Sequence, residues 1–294
     1  MSSKRITTKM KQKLGRDYGL RIFFTLVMVL ISLTMTIPIA WMLSASMKQA
    51  MDVTKLPIKW IPEYFYPDNY VEVWNIGGKA RHDYHFGLAY FNSLKIAVIC
   101  MVGAVLTSSM TGYAFAKIKF RGREAVFLFY LATMMIPSQI TIIPKFVMFD
   151  ALGMIGSHKT LILPGIFTIT GTFLMRQCFT QIPDEIRESA KVDGASEFRI
   201  WASVMVPMAK SSMASLAIMV FLWTWNDYLN PLVFLPNWRL QTIPLALTSF
   251  IEEAGTQYHL MMAAAASALI PMFVVFIAGQ KYLVKGITSG AVKG

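Results

Sequence analysis

Six runs of mostly apolar residues dominate this chain, at approximately 22–43, 91–114, 125–148, 160–179, 212–232 and 259–283. Each is long enough to cross a bilayer, whose hydrocarbon core takes about 20 residues of helix. Lipid offers no partners to backbone N–H and C=O groups, so runs of this length predict helices that satisfy their own. The fold class expected is an all-α membrane protein with six transmembrane helices. Charged residues make up 15% of the chain, against about 25% in a soluble domain. Lys95 sits near one end of the second run and can snorkel to the interface. Pro137, Pro144 and Pro164 predict kinks in the third and fourth.

The net charge of +12 suggests nucleic acid only until its placement is read. The basic residues flank apolar runs and form no single patch, which excludes that partner. With six spans, one side holds Lys4, Arg5, Lys9, Lys11, Lys13, Arg16 and Arg21, then Lys117, Lys119, Arg121 and Arg123, then Lys281, Lys285 and Lys293. The other side holds bases balanced by Asp52, Glu63, Asp68, Glu72 and Asp83. The side with the excess of Lys and Arg is expected to be cytoplasmic, with both termini on it. Trp41, Trp60, Tyr64, Tyr66, Trp74 and Tyr90 gather at the outer edge, as interfacial aromatics do. The N-terminus lacks a short apolar region with a cleavage site, so the first run reads as a retained helix.

Between the fourth and fifth runs lies a polar stretch. Pro183-Asp184-Glu185 suits a helix start. Gly194 suits a left-handed helix end, and Ser196 can cap a second helix. On that helix Phe198, Trp201, Ala202 and Met205 follow an i, i+3, i+4, i+7 stripe, and Pro207 is expected to end it. The reading is helix, glycine turn, helix. An amphipathic connector lying in the headgroups is the competing reading. Glu185, Glu188, Asp193 and Glu197 among the bases favour a protein groove over an anionic lipid surface.

This stretch resembles the EAA loop of binding-protein-dependent ABC importer permeases. It carries Glu188-Ser189-Ala190, Asp193-Gly194-Ala195 and Pro207 at the family's spacing. Phe173-Leu-Met-Arg-Gln-Cys-Phe179, Ile182-Pro183, Ile136-Pro137-Ser138-Gln139, Leu161-Ile-Leu-Pro164 and Trp225-Asn226-Asp227-Tyr228 look like its flanks. The ending from Gly279 to Gly294 is similar to the maltose-permease-like carbohydrate branch. Ser189 replaces an alanine of the pattern, Trp201 a phenylalanine, Ser211 a second proline and Gly156-Ser157 an Asn-Thr.

The resemblance implies a type I ABC importer permease fold. Its expected parts are a basic tail (1–21), a first helix (22–43), an extracytoplasmic loop (44–90), a five-helix permease domain (91–283) with the coupling hairpin at 183–210, and a cytoplasmic tail (284–294). It implies a second permease, a heterodimer, an ABC ATPase dimer that binds ATP and Mg, and an extracytoplasmic solute-binding protein. Glu188, Ala190, Asp193, Gly194, Ala195 and Pro207 would shape and position the coupling loop. Phe198, Trp201 and Met205 would anchor it in the ATPase groove. Gly286, Gly290 and Gly294 would let an extended tail reach the ATPase pair. The loop 234–258 is placed to dock the binding protein.

Gln139, Trp223, Asn226 and Asp227 are polar or aromatic groups in or near spans. Such groups are candidates for the transport pathway, with helix packing the competing role. Cys100 and Cys178 read as small buried hydrophobes, and no metal-ligand spacing or cofactor motif is present. The chain has no phosphate loop, so ATP hydrolysis is expected in another chain. It has no nucleophile-and-base constellation either, which argues against an enzyme. His82, Asp83 and His85 read as solvated surface. The alternatives are a stand-alone secondary transporter, which should show paired intramembrane acids or inverted repeats, and an ABC importer for a polyol or glycerol phosphate. Carriage of a sugar or oligosaccharide across a bacterial or archaeal cytoplasmic membrane is the function expected.

Overall fold

The computed structural model describes residues 2–75, 85–252 and 255–291, with side chains described for 19–75, 85–251 and 257–282. Its main helices are α1 (Ser2–Ala45), α2 (Phe86–Lys117), α3 (Arg123–Ala132), α4 (Ile142–Ala151), α5 (Lys159–Gly165), α6 (Ile169–Thr180), α7 (Asp184–Val192), α8 (Glu197–Met208), α9 (Lys210–Trp225), α10 (Leu229–Phe234) and α11 (Tyr258–Ala291). Among the described residues the extended structure is one two-residue antiparallel ladder, Ile251–Glu252 with Gly255–Thr256. The rest of the regular structure among the described residues is helical.

Four helical segments are long and apolar enough to cross a membrane: Gly19–Ala45, Phe86–Lys117, Lys159–Thr180 and Tyr258–Tyr282. The pair Glu197–Met208 and Lys210–Trp225 makes a fifth if counted as one span, and it is bent by 82°. Of the six spans expected, four to five are therefore formed among the described residues as helices of that kind. The expected third span, 125–148, is broken. Helix α3 tightens into a 3-10 turn at Thr133–Met135, and Ile136 then leaves the helical region (φ −82°, ψ 114°). Pro137 accounts for this, because a proline ring disfavours the helical conformation at the residue before it, and no helical turn of α4 has yet begun there to hold it. Pro144 interrupts nothing, since it falls in the first turn of α4, where the N–H it lacks has no helical partner. The fourth span survives with a break at Ile166–Thr168, after which the Thr168 hydroxyl caps α6 by accepting from the Gly171 N–H at 3.4 Å.

The chain divides into two compact units, one formed by the chain up to Tyr70 with Gln257–Ala266, the other by Val71–Thr256 with the chain from Ser267 on. In the first, α1 presents apolar side chains outward over residues 20–43, among them Leu30 and Met35, as a helix surrounded by lipid or by another apolar helix does. The segment after α1 folds back through buried polar groups. Asn69 donates to the carbonyls of Ser46 and Lys48 (2.9 and 2.8 Å). The Lys48 ammonium lies over the Trp41 ring, 4.2 Å from its centroid, and Trp41 meets Trp60 edge-on.

The second unit is built around α2. A Cβ at Gly112 would stand 2.6 Å from the Met175 Cβ and 2.8 Å from the Arg176 N, so the absence of a side chain lets α2 and α6 touch at backbone distance. Small polar groups then bond across the seam. Thr111 and Thr172 share a hydrogen bond of 2.9 Å, and Thr107 donates to the Ile166 carbonyl freed by the break. The core at this seam contains Cys100, Ala104, Tyr113, Met175, Phe179, Ile200, Trp201, Met205 and Leu216. A second cluster joins Ala97, Phe221, Trp225, Ile243 and Ala268.

Candidate functional site

The polar hairpin forms as α7, a glycine elbow and α8. Asp184 and Glu185 occupy the first turn of α7 and Lys191 the last, each on the end its charge favours. At the elbow Gly194 has φ +81°. Its N–H donates to the Lys191 carbonyl (3.1 Å), and the Ala195 N–H donates to the Ala190 carbonyl (3.0 Å). That pair of bonds is the Schellman closure, which satisfies the last helical carbonyls through a left-handed residue. Ser196 then caps α8, its hydroxyl accepting from the Arg199 N–H at 3.3 Å.

Helix α8 contains a π-helical turn over Trp201–Met205, closed by the Val206 N–H on the Trp201 carbonyl. The expectation that Pro207 ends this helix needs adjustment. It runs on to Met208, the chain turns at Ala209, and α9 begins at Lys210. The wide turn lies just before the proline that removes a backbone donor, so the ladder is already loosened where the 82° bend begins.

The hairpin has two faces. Its underside carries Ile186, Ala190, Ala195, Ile200, Trp201 and Met205 against the chain's own core. Its crest carries Glu185, Glu188, Ser189, Val192, Asp193, Phe198 and Arg199, all exposed. Val192 and Phe198 stand out as apolar side chains 87% and 64% exposed on a polar surface. The expected trio of groove anchors is therefore split. Trp201 is buried and Met205 fully so, which leaves neither with free surface for a partner, while Phe198 stays outside with its ring 5.2 Å from that of Trp201. Val192 is the other apolar side chain exposed on the crest. Glu188 and Asp193 make no ion pair among the described residues.

Three residues absent from the sequence-based set hold this arrangement. Lys117, its side chain 4% exposed at the end of α2, donates to the Ile182 carbonyl and pairs with Asp184. Tyr113, one turn earlier, donates to Glu197 at 2.6 Å. Arg187 on α7 pairs with the same carboxylate, and Lys191 approaches it at 3.4 Å. The hydrogen bond and charge of Lys117 hold the Asp184 carboxyl below the usual range. Partial burial works to raise Glu197, but hydrogen bonds from Tyr113 and Arg187 outweigh it, and the carboxyl ends below its ordinary value. A lone Tyr or Lys near the end of a span carries no mark of its partner, so the sequence offered only the i, i+4 spacing.

The remaining candidates lie apart from the hairpin. Asp227 and Asn230 line a cavity of about 200 Å³ with Ser93, Lys145, Thr160, Thr224 and Thr242. Asn230 donates to Asp227 through its backbone (3.3 Å) and its amide (2.9 Å). Asn226 turns back to its own helix, donating to the Leu222 carbonyl and to Met272 Sδ. Trp223 and Gln139 are exposed and line no part of that cavity. Helix α11 continues through Gly286 and Gly290 to Ala291, so the tail expected to be extended is helical that far. Gly294, His82 and Asp83 lie outside the described residues. The loop after α10 is pinned to the start of α2. Asn92 donates to the carbonyls of Arg239 (2.9 Å) and Gln241 (3.1 Å), and the Ser93 hydroxyl accepts from the Ile243 N–H (2.8 Å).

Comparison with known proteins places this geometry. Residues 104–289 match the family model described as binding-protein-dependent transport system inner membrane component. An arabinooligosaccharides transport system permease protein of Bacillus subtilis (strain 168) is 32% identical over 276 residues, covering 93% of this chain and 96% of the relative. An sn-glycerol-3-phosphate transport system permease protein of Yersinia enterocolitica is 30% identical over 271 residues, covering 92% and 96%. A chain in the crystal structure of a bacterial ABC transporter involved in the import of the acidic polysaccharide alginate superposes with a TM-score of 0.79 at 22% identity, covering 90% of this chain and 97% of that one. It shares the fold.

Proposed function

The chain belongs to the family of binding-protein-dependent transport system inner membrane components, and from that premise we propose that this permease subunit carries a carbohydrate and is driven through its polar hairpin by a separate ATPase. The permease role comes with the family. The carbohydrate rests on the arabinooligosaccharide permease of Bacillus subtilis, aligned along nearly the whole of both chains. A second permease of different sequence, an ATPase pair holding ATP and Mg, and an extracytoplasmic binding protein complete the assembly. The hairpin and both termini face the cytoplasm.

One observation carries the coupling reading. Val192 and Phe198 are apolar and exposed on the crest of a hairpin whose underside is fixed by packing and ion pairs. A rigid mount with a free aromatic is how a small number of residues comes to dominate an interface. Glu188 and Asp193, exposed beside the elbow, supply fixed charge at the rim. The test is Phe198→Asp in a tagged chain purified in mild detergent. The chain should remain in the membrane and lose its ATPase subunit, whereas retention of the ATPase at the wild-type ratio overturns the reading.

The relatives named for sn-glycerol-3-phosphate transport favour a second substrate class. Cells with and without this gene, given labelled arabinooligosaccharide or labelled sn-glycerol-3-phosphate, separate the two. Gene-dependent uptake of the phosphate ester alone would replace carbohydrate as the substrate.

A further inference from the structure

We propose that α2 is a strut that joins the polar hairpin to the loop 239–243, with Asn92 and Ser93 at one end and Tyr113 and Lys117 at the other as positioning residues. The proposal rests on the hairpin docking an ATPase and extends it by naming how a movement of the hairpin reaches the far side of the membrane.

Three observations converge. At the hairpin end, Tyr113 and Lys117 lie on one face of α2, four residues apart, and each holds a different arm. Lys117 binds α7 through Asp184 and the Ile182 carbonyl just before it. Tyr113 binds α8 through Glu197, which Arg187 ties back to α7. Both arms are thus fixed to one rod. The buried Lys117 ammonium has no solvent to turn to, so its two oxygen partners cannot be released without leaving a charge unpaired.

At the other end, the adjacent residues Asn92 and Ser93 are 4% and 3% exposed. Between them they hold three backbone groups of the loop: the carbonyls of Arg239 and Gln241 and the N–H of Ile243. Backbone grips of this kind fix where a loop sits whatever its side chains do.

Between the ends the rod is stiff. Asn92 and Tyr113 are 21 residues apart, about 30 Å at 1.5 Å per residue, close to the hydrocarbon thickness. Sharp helix kinks arise mainly at proline, and the other candidate spans each contain one: Pro38, Pro164, Pro207 and Pro271. Helix α2 has none and is unbroken over its 32 residues. A displacement imposed on the hairpin is therefore delivered to the loop as one rigid-body movement.

The experiment uses the full complex with its ATPase subunits in liposomes. An environment-sensitive dye is attached to Pro236→Cys, an exposed position beside the gripped loop. Cys178 is replaced by alanine, while Cys100 is fully buried and stays. ATP with vanadate traps the closed ATPase, and the dye signal reports the loop. The expected result is a response in the parent complex, cut about fivefold by Lys117→Met, by Asn92→Leu and by Tyr113→Phe, and kept by Lys117→Arg. Combining Lys117→Met with Asn92→Leu should be no worse than either alone, because releasing either end interrupts the same path and leaves only what bypasses it. A silent parent complex, full responses in the single variants, or losses that multiply in the double variant would each overturn the strut. Phe198→Asp separates the two readings. A normal response with that variant means the hairpin does not dock. A silent Phe198→Asp beside a fully responsive Lys117→Met means that it docks and the strut is wrong.

Discussion

Gly194 is the position where a single methyl group can be assigned a cost from backbone geometry alone. Its φ is +81°, and a Cβ built on it meets nothing within 4 Å. Sterics with neighbours therefore contribute nothing, and the cost of Gly194→Ala is the left-handed penalty of an L-residue, roughly 1–2 kcal/mol. Asparagine enters that region more easily and should cost less. Valine, branched at Cβ, should cost more. Proline cannot adopt this φ at all and also removes the N–H that closes on Lys191, so it should cost about 3 kcal/mol or more. Local opening of the elbow should then be favoured about 5- to 30-fold in the alanine variant. Hydrogen exchange of the peptide spanning 184–208, read by mass spectrometry on the purified protein, measures that ratio directly. The expected order of exchange is Gly, Asn, Ala, Val, with Pro fastest, while exchange over residues 86–117 stays unchanged. Membrane levels should hold throughout, and uptake should be abolished in Gly194→Pro. Wild-type exchange in Gly194→Val would refute the left-handed elbow, and normal uptake in Gly194→Pro would sink its role in coupling.

Gly112→Ala places a methyl 2.6 Å from the Met175 Cβ and 2.8 Å from the Arg176 N. Backbone cannot yield as a side chain does, so the variant should lose about 1–3 kcal/mol and melt lower in detergent, whereas the control Gly19→Ala, open on all sides and also helical, should melt no lower than the parent. The depressed carboxyls of Glu197 and Asp184 make the hairpin acid-sensitive: their contribution is present above the unfolded carboxylate range and is lost as pH falls through the lower folded values. Glu197→Gln should therefore melt below the parent at pH 7, and the gap should close below about pH 4; a gap independent of pH would mean that charge at Glu197 is irrelevant. Asp227→Ala leaves two Asn230 donors without their acceptor and should lower both melting temperature and uptake. Asp227→Asn, which keeps one of the two acceptor oxygens, should restore part of the melt, and uptake still lost beside that partial recovery would favour a pathway role over packing.

The spans were legible from run length because lipid leaves the backbone no other solution. What run length cannot show is where a helix breaks inside an apolar run. The third stretch has the composition of a span, yet Ile136 is extended and the stretch divides into α3 and α4. The signal is Pro137: its letter predicts a kink, and the residue before it leaves the helix altogether. Pro144 and Pro164 carry the same letter with milder results, because one stands in a first turn and the other one residue before a helix end. Position relative to a helix start decides between these outcomes, and helix starts are what an unbroken apolar run conceals.

The elbow was legible for the opposite reason. A glycine between two polar helices, followed by a capping serine, encodes its geometry within a few residues, and the Schellman bonds and the Ser196 cap follow from that local code. The apolar stripe on α8 misled because periodicity reports that a face is buried without saying by what. Phe198, Trp201 and Met205 share the stripe, but the chain's own core takes only part of it. It takes the two residues nearer the bend, Trp201 and Met205, which sink in beside Phe179 and Met175. The residue nearer the elbow, Phe198, stays exposed. By the same logic the polar clamps from α2 were invisible: Tyr113 and Glu197 are 84 residues apart, and only the close passage of α2 past α6, made possible by a missing side chain at Gly112, carries the hydroxyl to the carboxylate.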